Sequence, residues 1–228
     1  MVITEGNKTA TLFGVHGALG RELLYALLAH PAYTEVEVFC QRPLEARHSK
    51  LRVRQVDFGA WEQTKPALKG RDLFICPGLL FREVQGGTAS LRFDPRLSLV
   101  IVKQAVQQGV NQLLLASSKG AHKDALLPGL QLRGLLDEVM KYQKFWSVHI
   151  FRPAVTLPDD RRGRIAGPFG RFFNRLSGEQ LHEFEPLEPQ HLAAFMVAQA
   201  QLLREGYHIH ASGEISQWTN QQLLPPQA

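Results

Sequence analysis

The chain of 228 residues is 44% apolar and 21% charged, an ordinary globular composition with length enough for one sizeable core. Its formal charge of +5 suits an anionic cofactor or substrate and is too small to mark a nucleic-acid binder. Only two cysteines occur, the first residues lack a signal peptide's apolar core, and no apolar run is long enough to span a membrane, so a cytoplasmic protein without a membrane segment is expected.

Thr9–Phe13 is β-branched and apolar and predicts a buried strand. It runs into Gly14-Val-His16-Gly17-Ala18-Leu19-Gly20, after which Leu23, Leu24, Leu27 and Leu28 mark the apolar face of a helix over 18–30. Strand, glycine turn and helix in that order predict a dinucleotide site. Gly14 turns the chain, Gly17 lets backbone approach a pyrophosphate, and Gly20 lets the helix lie close to the strand. The helix N-terminus then presents N–H groups to the phosphates.

A second strand is predicted over 35–40, closed by Gln41-Arg42-Pro43. Dinucleotide folds place a ribose-binding acid just past this strand, or an arginine when a 2′-phosphate is bound. Arg42 stands there, which favours NADP(H) over NAD(H); the alternative is a solvated loop charge. Leu51–Phe58 reads as a third strand whose Asp57 and Phe58 are placed to meet an adenine. A helix is expected around 61–68, then a fourth strand over 73–76 ending at Pro77-Gly78, where a cofactor would pass close. Cys40 and Cys76 fall in apolar strand runs and read as buried thiols.

A helix over 93–108, a fifth strand over 112–116, a helix over 130–142 and a sixth strand over 147–151 follow. Their alternation predicts an α/β doubly wound parallel sheet. A single domain is expected, its core about 9–158 and a smaller lid with helices over about 159–228. The lid carries Arg161, Arg162, Arg164, Arg171 and Arg175 with Phe169, Phe172 and Phe173, readable as a cradle for a small anionic substrate or protein partner, or as a solvated basic loop. A helix over 188–203, a short strand over 207–211 and a frayed tail after Leu224 complete the chain. His208 and His210 share a strand face like a metal pair, but no further ligands accompany them and no metal is expected.

The glycine turn, Arg42, Val56-Asp57-Phe58, Leu115-Ala-Ser117-Ser118-Lys119-Gly-Ala121 and Phe151-Arg152-Pro153-Ala154 together resemble the atypical short-chain dehydrogenases/reductases. The likeness is to the NmrA-like branch that includes the Tat-interacting, NADPH-binding protein of animals and its bacterial relatives, and it runs from about Ala10 to Pro158. The resemblance implies a Rossmann sheet with NADP(H) across its C-terminal edge. It also implies cofactor contacts from Pro77, Gly78, Ser117, Arg133, Arg152 and Pro153, and a carbonyl-orienting role for Ser117 or Ser118.

Active members of that family carry Tyr-x-x-x-Lys on the following helix. Here Gly129 and Arg133 take those places, and none of the four tyrosines has a lysine four residues on. Lys119 and His122 are the candidate substitute donors, His122 by its intrinsic pKa. Three readings follow: a cofactor-binding or redox-sensing protein with weak or altered catalysis, a reductase or epimerase-like enzyme with a substitute acid, and an interaction module that has lost its cofactor. A monomer or homodimer suits any of them.

Overall fold

A computed structural model describes residues 6–76, 95–154 and 187–223. Seven strands form one sheet: β1 (Lys8–Phe13), β2 (Tyr33–Cys40), β3 (Leu51–Gln55), β4 (Asp72–Ile75), β5 (Gln112–Ala116), β6 (Ser147–Arg152) and β7 (Gly206–Ala211). Every pairing is parallel, in the order β3-β2-β1-β4-β5-β6-β7. The order reverses direction beside β1, which puts a crevice at the C-terminal ends of β1, β2 and β4, where ligands of open α/β sheets bind.

The helices are α1 (Ala18–Ala29), α2 (Trp61–Thr64), α3 (Pro95–Gln107), α4 (Pro128–Lys141), α5 (Pro189–Gln201) and α6 (Ser212–Leu223). Strand alternation divides the core between the two faces of the sheet. Leu12, Val36, Val38, Phe74, Leu114 and Phe151 join α1, α5 and α6 on one side. Phe13, Phe39, Leu73, Ile75, Leu113, Leu115, Val148 and Ile150 meet Trp61, α3 and α4 on the other. At the N-terminal edge a buried polar cluster ties four strands together. Asp72 accepts from Lys8 at 2.8 Å, Tyr33 at 2.7 Å and Gln112 at 2.9 Å, and Lys8 also reaches the Ala200 carbonyl of α5.

Two expected elements differ, and one observed element was not expected. β3 stops at Gln55, because the Asp57 carboxylate takes the Gly59 N–H at 2.8 Å and starts a 3₁₀ turn over Phe58–Ala60. The helix expected to Leu68 ends at Thr64: Lys65 turns left-handed (φ 36°) ahead of Pro66, whose ring disfavours a helical predecessor. α6 is a helix that the sequence reading passed over, since its apolar face amounts to little more than Ile215 and Trp218.

Candidate functional site

The predicted cofactor residues that the structure describes meet at one edge of the sheet. Gly14 follows β1 with φ +89°, and a Cβ there would lie 2.1 Å from the Cys76 carbonyl oxygen. A Cβ on Gly20 would lie 2.1 Å from the Gly14 carbonyl oxygen, so α1 can press on the turn only if this residue has none. Gly17 is different: it is exposed, its φ is ordinary, and the nearest atom to a Cβ would be 3.6 Å away. It caps α1 in an extended conformation with no side-chain cap and no acid in the first turn. With no acid in that turn, its N–H groups and the positive end of the helix dipole suit an anion.

Arg42 lies beside this turn. His16 Nε2 is 3.2 Å from the Arg42 carbonyl, and the Arg42 side chain is exposed. Val56 N–H bonds the Cys40 carbonyl at 2.9 Å, which carries exposed Asp57 and half-buried Phe58 to the same edge. Phe58 packs near Phe13 and Trp61, with centroids 6.3 and 6.0 Å away. Cys76 closes β4 against the Phe13 carbonyl; burial pushes its thiol up to about 12, so it stays protonated. Pro77, Gly78, the arginine segment over 161–175, its three phenylalanines and the tail after Leu224 lie outside the described residues.

The other half of the edge is built from β5, α4 and β6, and its polar groups hold one another. Ser117, at the end of β5, donates to Asp137 Oδ2 at 2.9 Å, and Arg152 Nε reaches the same oxygen at 2.9 Å. Tyr207 of β7 donates to the Asp137 carbonyl at 3.1 Å. Ser117, Arg133 and Asp137 are all buried. Burial pushes the Asp137 carboxyl up, opposed by Arg152, Ser117 and Arg133. Burial likewise pulls the Arg133 guanidinium down, opposed by Asp137.

The loop after β5 lies against α4 through Gly134, where a Cβ would fall 2.2 Å from the His122 backbone. The His122 side chain itself is largely exposed, 3.6 Å from Asp124. Lys119 N–H holds the Pro153 carbonyl at 2.7 Å, bringing Pro153 beside the Ser117–Lys119 turn. Ser118 is half-buried, its Oγ lacking a hydrogen-bond partner among the described residues. Sequence reasoning missed Asp137 and Tyr207. The signal available for Asp137 was its place four residues after Arg133, on one helix face. His208 and His210 do meet a third histidine, His149 of β6, with ring centroids 4.9 and 5.2 Å apart.

A parallel sheet in this order, with a glycine turn at its switch point, defines a Rossmann-type α/β fold. The chain is similar to protein HTATIP2 of Rattus norvegicus (29% identical over 162 residues, 69% of the chain and 66% of that protein). It is similar to protein FMP52, mitochondrial, of Candida glabrata (26% over 154 residues, 68% and 66%) and to protein fmp52-1, mitochondrial, of Aspergillus terreus (27% over 178 residues, 75% and 76%). The matched segment thus spans just under two thirds of the first two relatives.

Among solved structures it resembles L-sorbose reductase of Gluconobacter frateurii, complexed with NADPH and L-sorbose (TM-score 0.60, 12% identical, covering 94% of this chain and 98% of that one). It also resembles the Bordetella bronchiseptica enzyme WbmH, complexed with NAD+ (TM-score 0.53, 14% identical, 97% and 83%). No family model matches the chain. These likenesses support the placement among atypical short-chain dehydrogenases/reductases. They also correct one expectation: the FMP52 relatives are named as mitochondrial proteins, so a cytoplasmic location no longer stands. Among the described residues no helix is long and apolar enough to cross a membrane.

Proposed function

We propose that the protein binds NADP(H) across the C-terminal edge of the sheet and couples cofactor occupancy to weak or altered catalysis, as a cofactor-binding or redox-sensing protein. The observation that carries this reading is the glycine cradle: two positions where a Cβ would strike backbone at 2.1 Å, with an exposed Gly17 between them. The pyrophosphate would rest on the backbone from Gly14 to Gly20. Arg42 would take the 2′-phosphate through paired hydrogen bonds, and Asp57 with Phe58 would meet the adenine. The cofactor would supply or accept hydride; this chain would bind it and shield it from water.

Catalysis is weak in this reading because Gly129 offers no proton and Ser117 is committed to Asp137. Titrating NADPH and NADH against tryptophan fluorescence tests the binding claim. A response to NADPH at micromolar concentration, with a weaker one to NADH, is expected. Equal or absent responses refute it.

A second reading, a reductase or epimerase-like enzyme, draws on one observation. The buried Asp137 carboxylate accepts the Ser117 hydroxyl hydrogen at 2.9 Å and would fix that hydroxyl for a substrate carbonyl, while Lys119 or His122 would supply the proton. NADPH consumption against aldehydes, ketones and quinones, compared in Asp137→Asn, Lys119→Ala and His122→Ala variants, separates the two. Turnover that disappears in one variant alone establishes the enzyme.

A further inference from the structure

Away from the glycine turn, a row of hydrogen bonds crosses β6 and β7 and ends on α6. Ser147 Oγ donates to the Arg204 carbonyl at 2.5 Å and lies 3.0 Å from His149 Nε2. His149 Nδ1 is 2.9 Å from His210 Nε2, and His210 Nδ1 is 3.0 Å from Glu214 Oε1. Both histidines are buried, while the Glu214 side chain is 45% exposed.

Donor counting fixes the protons. A carbonyl oxygen and a hydroxyl oxygen approach to 2.5 Å only with the hydroxyl hydrogen between them, so Ser147 must accept from His149 Nε2–H. His149 Nδ1 is then an acceptor and takes the His210 Nε2–H. His210 Nδ1 is left facing a carboxylate oxygen. The row has four contacts and, with neutral imidazoles and an ionised carboxylate, only three hydrogens. One more proton completes it.

We propose that this row is a proton-operated clasp between β7 and α6, closed when His210 Nδ1 carries a proton toward Glu214 and open when two acceptors face each other there. The groups facing His210 are His149 from β6, His208 on its own strand, Arg204 ahead of β7 and Glu214 from α6; α5 contributes the Phe195 ring, edge-on at 5.3 Å. Burial, His208 and Arg204 work against the proton and Glu214 works for it, so the clasp closes below the ordinary histidine range. His149 stays neutral, held at about 3 by burial first and then by His210, His208 and Arg204. The state of the clasp reaches the cofactor edge, because Ser212, the first residue of α6, takes the Ala154 N–H where β6 leaves the sheet.

The test is ¹⁵N imidazole NMR with amide hydrogen exchange over Ser212–Trp218, from about pH 8 to about pH 5. In the wild type His149 keeps its hydrogen on Nε2 throughout, and His210 gains one on Nδ1 as the pH falls below the ordinary histidine range. Protection of α6, corrected for intrinsic exchange, then rises by up to about tenfold per pH unit, the limit for one proton. In Glu214→Gln the side-chain amide donates to unprotonated His210, so protection is pH-independent and already at the closed level. A proton on His149 Nδ1, pH-independent α6 exchange in the wild type, or an unchanged pH dependence in Glu214→Gln overturns the proposal.

Discussion

The two halves of the cofactor edge spend their polar groups differently. Around β1 and β2 the backbone is bare: Gly17 is uncapped by any side chain, Arg42 is exposed, and no acid sits in the first turn of α1. Around β5, α4 and β6 the corresponding groups are turned on one another, with Ser117 and Arg152 both bonded to Asp137 and Tyr207 bonded to its carbonyl. The first half leaves backbone and a guanidinium exposed, as the proposed function requires; the second is largely complementary to itself. In the proposed function, binding and reaction are therefore separable: Gly129 stands where the resemblance expects a tyrosine, and Ser117 is held by Asp137.

The comparison is broken most severely by a methyl group at Gly20. Gly20→Ala puts a Cβ 2.1 Å from the Gly14 carbonyl, so the turn and α1 must separate, at a cost on the order of 3 kcal/mol. Thermal denaturation should show this as a large drop in Tm. Gly17→Ala is the control: with 3.6 Å of room it should melt like the wild type, while its NADPH affinity falls about tenfold because the pyrophosphate can no longer reach backbone. Equal melting of the two variants would remove the distinction between a packing glycine and a contact glycine.

Next in size is Asp137→Ala. It leaves the buried Arg133 and the partly exposed Arg152 without their carboxylate, which should cost about 2–3 kcal/mol. A variant that keeps full stability would show that the network is incidental.

A third expectation concerns pH. His149 is buried and held at about 3, whereas an unfolded histidine titrates near 6.5. Between those values the unfolded chain binds a proton that the native chain does not. Stability is thus full above about pH 6.5 and declines as the pH falls toward about 3, by about 1.4 kcal/mol per unit. His210, lowered chiefly by burial, adds to this decline relative to the unfolded chain, although within the native fold its proton toward Glu214 favours docked over detached α6. Denaturant midpoints measured through this window should fall in the wild type, and His149→Gln should flatten the slope. A midpoint independent of pH would contradict the burial argument.

The smallest effect on the fold is expected at Arg42. Arg42→Ala should leave Tm unchanged and NADH binding unaltered, while NADPH affinity falls about tenfold with the loss of a bidentate phosphate contact. The ratio of the two affinities, measured by calorimetry, checks it.

Most of the sheet was legible because its signals are local. Thr9–Phe13 and Gln112–Ala116 are apolar runs bounded by turn residues, and β5 has the bounds expected of it. The glycine turn was legible from its spacing between a strand and a helix, and the Gly20 constraint is local too, whereas the one on Gly14 comes from Cys76, sixty-two residues on. What escaped depends on contacts distant in sequence. α6 is polar apart from a narrow face, and its burial comes from Phe195 and β7. Asp137 reads as one more helix-surface acid until Ser117, twenty residues earlier, and Arg152, fifteen later, are brought against it. His210 looked like half of a metal pair because His149, sixty-one residues away, was not yet its neighbour.

The most direct test of a binding half kept apart from a reaction half is one calorimetric cell in which NADPH is titrated to saturation before a panel of carbonyl substrates is added. The expected result is saturable binding at micromolar strength, followed by no carbonyl-dependent consumption above the background rate. Rapid turnover, or the absence of any binding heat, would contradict it.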